Sequence, residues 1–406
     1  MTTSTLSSPA VSDALTEKPR ISSIDLMRGI VMVIMALDHT RDFFHKDALM
    51  IDATNLEQTN PLLFFTRIIT HYCAPTFVFL SGAAIKLSEQ RKSKKDLSIF
   101  LLSRGLWLIL LEITVIRFSF FFQLYYDVTI FQVIWAIGFC MILLSAVVHL
   151  PFRLILALGI VILLGHDALH LIRLQPQDPF YTLWTFTHQV GVAEFAPGKS
   201  AFVPYPFLAW FGIMLLGYAF GRWYTSSFTS ERRRKLLLVT GSGAVFAFVV
   251  LRFINLYGDP APWSEQKNVL FTFMSFINVT KYPPSLLYTL MTLGPVLILL
   301  AFMERWQSPT LKPFIVFGRV PLFYYVLHFY IIHATAIVLY MILQDKSLGE
   351  IDLHFDKGFG GITPGAGVSL GVVYVIWISI VVLLYPLCNW YNTYKSKHKN
   401  WWLSYL

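Results

Sequence analysis

Asp38 and His39 stand well inside the segment 22–45, which is otherwise apolar enough to cross a bilayer. A charged side chain near the middle of a spanning helix costs roughly 2.5–3.5 kcal/mol on insertion scales, so it faces a cavity or a partner rather than lipid. At helical spacing Asp42 lies one turn beyond His39, and Arg41 one turn beyond Asp38; such i, i+3 pairs touch. An imidazole beside a carboxylate has its tautomer and basicity set by that partner, which suits a general base. The plainer alternative is an ion cluster that ties helices together. Arg28, eleven residues before His39, falls on nearly the same helix face, about 16 Å away along the axis.

Four other groups have the residue types for chemistry. In the segment 61–88, Arg67 and His71 are one turn apart, and Pro75 predicts a kink that frees backbone groups beside open space. His166-Asp167-Ala168-Leu169-His170 puts two imidazoles at a spacing that binds zinc. Asp replaces the Glu of the H-E-x-x-H signature and no third ligand is evident in the sequence, so an interfacial His pair is expected and no metal. Lys281-Tyr282-Pro283-Pro284-Ser285 opens a helix where prolines are tolerated, and sets Lys281 and Tyr282 at an outer mouth as site groups or interfacial anchors. In the stretch 318–328, Tyr324 or Tyr325 can reach His328, while Arg319 either meets a phosphate or snorkels to the interface.

The elements that position these residues are membrane helices. The chain of 406 residues is 56% hydrophobic and 14% charged, against about 45–50% and 25% in soluble domains. Stretches long enough to span predict an all-α, polytopic bundle of about ten spans, at 22–45, 61–88, 97–122, 128–148, 152–172, 203–223, 235–256, 283–303, 314–343 and 366–390. Alternate loops carry the basic residues: Arg91 to Lys95, Arg153, Arg232 to Lys235, Arg305 and Lys312, then Lys395, Lys397 and Lys399. The other loops are acidic, with Asp47, Asp127, Glu194, Asp259, Asp352 and Asp356 among them. The positive-inside rule then places both termini in the cytosol. A polar tail over 1–20 without an apolar core argues against a cleaved signal peptide, a membrane domain fills 21–392, and a basic tail follows over 393–406. The segment 269–279 is apolar but short, as an interfacial or re-entrant piece would be. The net charge of +9 sits in short loops that set topology, which excludes nucleic acid as the partner. Cys73, Cys140 and Cys388 all fall in apolar segments and read as buried free thiols.

Several of these motifs are recognisable in combination. Ser23-Ile24-Asp25-Leu26-Met27-Arg28-Gly29 with Leu37-Asp38-His39, then Pro75-Thr76-Phe77-Val78-Phe79-Leu80-Ser81-Gly82, resemble the catalytic domain of the heparan-alpha-glucosaminide N-acetyltransferase family. Tyr205-Pro206-Phe207-Leu208-Ala209-Trp210-Phe211-Gly212 and the motifs at 281–285 and 318–328 are similar to its bacterial branch, so the resemblance runs from about residue 20 to 335. It implies an enzyme that takes an acetyl group from cytosolic acetyl-CoA and delivers it to a sugar amine or hydroxyl across the membrane. It also implies a bacterial plasma-membrane location and, by analogy with the lysosomal members, a homodimer. In those members an Asn in the first span precedes the catalytic His by eleven residues; here Asp38 aligns with the Asn and Leu49 with the His.

The expected catalytic set is therefore His39 with Asp38 and Asp42, His45 in reserve, and His71. His39 takes the acceptor's proton as it attacks the thioester, and Arg41, His71 or Tyr282 meets the oxyanion. Arg28, Arg104 and Arg319 are expected to meet CoA phosphates, with Lys281, Tyr282 and His328 completing the cofactor set. The runner-up is a proton-coupled transporter of a small solute, since intramembrane Asp, Arg and His also serve relays. No inverted repeat supports it.

Overall fold

The computed structural model describes residues 22–306, 308–354, 358–398 and 400–404; the tail over 1–20, Asp356 and Lys399 lie outside them. Helices α1 (Ser22–Phe44), α2 (Pro61–Thr70), α3 (Cys73–Glu89), α4 (Lys94–Leu111), α5 (Arg117–Phe121), α6 (Val133–Val147) and α7 (Phe152–Gly165) come first. Next are α8 (Tyr181–Thr187), α9 (Phe207–Gly221), α10 (Ser230–Ile254), α11 (Val269–Ile277) and α12 (Leu286–Met303). The chain continues through α13 (Lys312–Arg319), α14 (Pro321–Gln344) and α15 (Leu370–Lys397). Each of the ten apolar segments carries helix. Among the described residues, seven helical stretches are long and apolar enough to cross a membrane. Helix α1 adds five charged residues to its apolar stretch, and α6 and α9 have only 15 residues each.

Three local departures from the sequence expectation have physical causes. The expected span 61–88 is two helices broken at His71 and Tyr72. Pro75 has no N–H for the carbonyl of His71, which instead accepts the Tyr288 hydroxyl at 2.6 Å. The expected span 314–343 is likewise two helices, because Pro321 starts α14 and cannot continue α13. The fold is also not purely helical. Strands β1 (Val128–Ile130), β2 (Gly191–Ala196) and β3 (Lys199–Val203) form a sheet in the order β1-β3-β2. β2 and β3 are an antiparallel hairpin turning at Gly198, whose φ of +67° suits glycine, while β1 adds in parallel to β3. The short apolar segment near 269 forms α11, capped by Asn268 accepting from the Phe271 amide. It buries Phe271 and Met274 against Phe64 and Ile68 of α2. All three cysteines are buried free thiols.

Helices meet at backbone distance where glycines face each other. A Cβ on Gly29 of α1 would lie 1.7 Å from the Phe314 carbonyl oxygen, and one on Gly318 of α13 would lie 1.8 Å from the Asp25 oxygen. Gly82 of α3 and Gly217 of α9 pack in the same reciprocal way. Small residues at such crossings replace the hydrophobic driving force that lipid does not supply. Gly29→Ala or Gly318→Ala is expected to cost about 1–3 kcal/mol through overpacking. Gly243→Ala on lipid-facing α10, where the added methyl meets nothing within 4 Å, should be neutral or stabilising. Thermal unfolding of the detergent-purified variants separates the two effects, and equal behaviour of Gly318→Ala and Gly243→Ala would contradict the contact.

Candidate functional site

Asp38 is 7% exposed and is met from two directions. Arg67 of α2 donates from Nη1 to both carboxylate oxygens, at 2.7 and 2.6 Å. Arg41 Nη2 lies 3.0 Å from Asp38 Oδ1 and donates to Asp42 Oδ1 at 2.6 Å. α2 is aimed by its own start, where the Asn60 side chain accepts from the Leu63 amide ahead of Pro61. The expected Asp38–Arg41 contact is present. Arg67 is the residue that sequence reasoning left out of the site. Its signal was available: a buried acid in one span requires a cation from another.

Two cavities lie back to back beside this cluster. One, termed the outer cavity after the orientation expected from the loop charges, has a volume of about 340 Å³ and is lined by Asp38, His39, Asp42, Arg67, Lys281 and Tyr282, with Tyr205, Gln132, Cys73 and Phe120 also on its wall. Lys281 and Tyr282, expected with the cofactor, thus stand with His39. Asp259 holds their segment from both sides. Its Oδ2 accepts from the Thr280 amide at 2.8 Å and the Ser285 hydroxyl at 2.7 Å. Tyr205 and Tyr282 bring their hydroxyls to 3.5 Å.

The inner cavity, of about 300 Å³, is lined by Arg28, Arg104, Arg319 and Lys395 among apolar groups. Arg28 donates to the Gly318 carbonyl at 3.2 Å, and Arg319 Nε lies 3.5 Å from Asp25 Oδ2. The α1–α13 glycine contact therefore fixes where both guanidinium groups stand. Phe77, Val133 and Tyr325 line both cavities, so one layer of side chains separates them.

His39 lines the outer cavity against the rings of Phe120 and Phe329. Its ring is 4.2 Å from Phe329 and 5.4 Å from His328, centroid to centroid, and Nδ1 lies 3.8 Å from Asp42 Oδ2. That last distance is an ionic approach beyond hydrogen-bond reach. His328 is wholly buried behind His39 and lines neither cavity. Its Nδ1 faces the carbonyls of Tyr324 and Tyr325, so it carries the proton, leaving Nε2 as a lone pair without a partner. His45 and His71 also line neither cavity. His45 is beyond the end of α1, bridged to Val368, and His71 is packed on Tyr288. Of the three expected oxyanion donors, only Tyr282 reaches the outer cavity.

Two groups were not legible in the sequence. Glu112, 1% exposed in the π-helical turn Glu112–Ile116, accepts from the amides of Gln132 and Trp135 at 3.1 Å each and so caps α6 beside both cavities. His188, far along the chain from the His166/His170 pair, joins it in space, so the third imidazole missing from the local sequence is present. Burial, and then His170 and His166, push the His188 ring down to about 4, and it is neutral at physiological pH.

Long apolar helices surrounding a polar, ion-paired centre define an integral membrane protein with a site inside its helix bundle. The sequence matches the family profile described as heparan-alpha-glucosaminide N-acetyltransferase, catalytic, over residues 20–251, more than half of the chain. The chain belongs to that family, which makes a membrane acyltransferase its class. No curated protein matches it. The matched region holds Arg28, Asp38, His39, Asp42, Arg67 and Arg104, whereas Lys281, Tyr282, Arg319 and His328 lie beyond it.

Removing Arg67 as Arg67→Met leaves Asp38 buried with half its partners. About 3–5 kcal/mol of destabilisation is expected, the usual cost of an orphaned buried charge. Adding Asp38→Asn to Arg67→Met should restore part of it. A thermal-unfolding double-mutant cycle measures this, and additive effects would mean that the two residues do not support each other.

Proposed function

We propose that this protein transfers an acetyl group from cytosolic acetyl-CoA, held at the inner cavity, to a hydroxyl or amine of a sugar or glycan in the outer one. The observation that carries this reading is the pair of cavities sharing Phe77, Val133 and Tyr325. The inner cavity offers Arg28, Arg104, Arg319 and Lys395, which suit the phosphates of CoA. It also opens near Ser88 and Lys395, beside the basic loops that the positive-inside rule assigns to the cytosol. This is the orientation of a bundle of about ten spans with both termini inside, built as one membrane domain over 21–392, in a bacterial plasma membrane.

In this mechanism the pantetheine arm brings the thioester to the shared layer. The acceptor's oxygen or nitrogen attacks the carbonyl carbon while His39 takes its proton. Asp42, on the same face of α1, favours the imidazolium that forms. Tyr282 and Lys281 meet the oxyanion of the tetrahedral intermediate. That intermediate collapses by breaking the carbon–sulfur bond, and the CoA thiolate leaves toward the cytosol. Asp38 is not a proton carrier here: locked between Arg67 and Arg41, it holds α1 against α2 so that His39 faces the cavity.

Purified wild type in detergent is expected to bind CoA and to release thiol from acetyl-CoA when given an amino sugar or glycan acceptor. His39→Ala should lower the rate by about 10²–10⁴ with CoA still bound, as for loss of a general base. His45→Ala should keep most activity. Arg104→Ala should raise KM for acetyl-CoA about tenfold with kcat little changed, as for one charge-assisted contact. Folded wild type that does not bind CoA, but moves a solute across vesicles without any acyl donor, would establish the carrier instead.

A further inference from the structure

We propose that His166, His170 and His188 bind a divalent transition metal, and that this metal clasps the outer loops over the glycan-side cavity. The three rings come from two distant parts of the chain. His166 and His170 are on the 3-10 turn His166–Leu171 that ends α7, and His188 is the residue after α8. One ligand nitrogen from each lies within 4.8 Å of the others. His166 and His188 are each 2% exposed, and all four of their ring nitrogens lack a hydrogen-bond partner. Buried polar groups are almost always paired, so rings with orphan nitrogens that bring one ligand atom each within 4.8 Å of the others ask for a shared partner.

The donor set says which partner. Three neutral imidazoles suit zinc and its first-row neighbours and do not suit magnesium or calcium, which take oxygen. Asp167 supplies the compensating charge. Its Oδ2 accepts from the Leu286 amide at 2.9 Å. Its Oδ1 has no hydrogen-bond partner and stands 3.4 Å from His170 Nε2 and 3.6 Å from His166 Nδ1. A carboxylate in that place receives the ring N–H that is not used on the metal and fixes the orientation of the ring. Zinc–nitrogen bonds of about 2.0–2.1 Å need the rings to close slightly on the ion.

None of the three His lines either cavity, so the metal is structural and takes no part in the transfer. Its reach is mechanical. Val190, two residues past His188, lines the outer cavity, and β2 begins at Gly191 and pairs with β3, whose Phe202 lines it too. Through Asp167 the same cluster holds the start of α12, directly after the Lys281–Ser285 segment. One ion would thus join α7, the β-hairpin and α12 around the mouth of the cavity.

The test uses full-length protein carrying a tag without histidine, purified from zinc-supplemented medium. About one zinc per chain is expected by elemental analysis. Removal with a chelator should lower the thermal midpoint reversibly, and cobalt in place of zinc should give the visible d–d bands of a tetrahedral site. His188→Ala and His166→Ala should lose the metal and the chelator response, while His354→Ala in another outer loop should keep both. Wild type that is folded yet takes up neither zinc nor cobalt would overturn the proposal. So would a His188→Ala protein that retains as much zinc as wild type. If the variants do not fold, the stoichiometry and reversible chelator shift of wild type still decide.

Discussion

The structure turns on one carboxylate that must not meet lipid. Asp38 is carried into the bundle by the hydrophobic helix around it, and it stays charged there because Arg67 of α2 and Arg41 of α1 close on it. That ion cluster sets the angle between the first two helical segments and the cavity beside them. With Arg41, Arg67 and Lys281 facing Asp38 and Asp42, the surroundings hold one more positive than negative charge. Such an excess favours negative charge developing in the cavity.

α1 connects the two halves of the proposed reaction. It presents Arg28 to the inner cavity and Asp38, His39 and Asp42 to the outer one. At 1.5 Å per residue these lie about 15–21 Å apart on one rod. The rod's inner half is seated on α13 by Gly29 and Gly318, and its outer half is held by Arg67. Glycine contact and ion pair therefore keep the donor and acceptor groups in fixed relation, although they belong to different chemistry.

Much of the bundle was legible because length and hydropathy are one-dimensional properties. Every apolar segment found by counting carries helix, and the i, i+3 contact of Asp38 with Arg41 follows from local spacing. What stayed hidden depends on partners remote in sequence. Arg67 is 29 residues from Asp38, and His188 reaches His166 only after a short helix and a turn. A kink at Pro75 follows from the sequence, but neither the full break at His71 and Tyr72 nor the Tyr288 hydroxyl that answers it does. The β-sheet was missed because its strands have three to six residues: β2 and most of β3 lie in a Gly- and Pro-rich loop, and β1 takes the first three residues of the segment expected to span over 128–148. Lys281 and Tyr282, read from the sequence as groups at a mouth and placed with the cofactor, line the cavity that also holds His39, and sequence gives no account of which cavity a helix start faces.

The layer of Phe77, Val133 and Tyr325 has an electrical consequence. Were water to fill both cavities, much of the membrane potential would fall across that layer rather than over the full hydrocarbon thickness. An elementary charge crossing it would exchange about 2.3 kcal/mol for each 100 mV. In the proposed reaction the acetyl group is uncharged and would cross at no such cost, while CoA, with its phosphates, would be kept on its own side. In that reading the layer of Phe77, Val133 and Tyr325 would insulate against charge and still pass a neutral group.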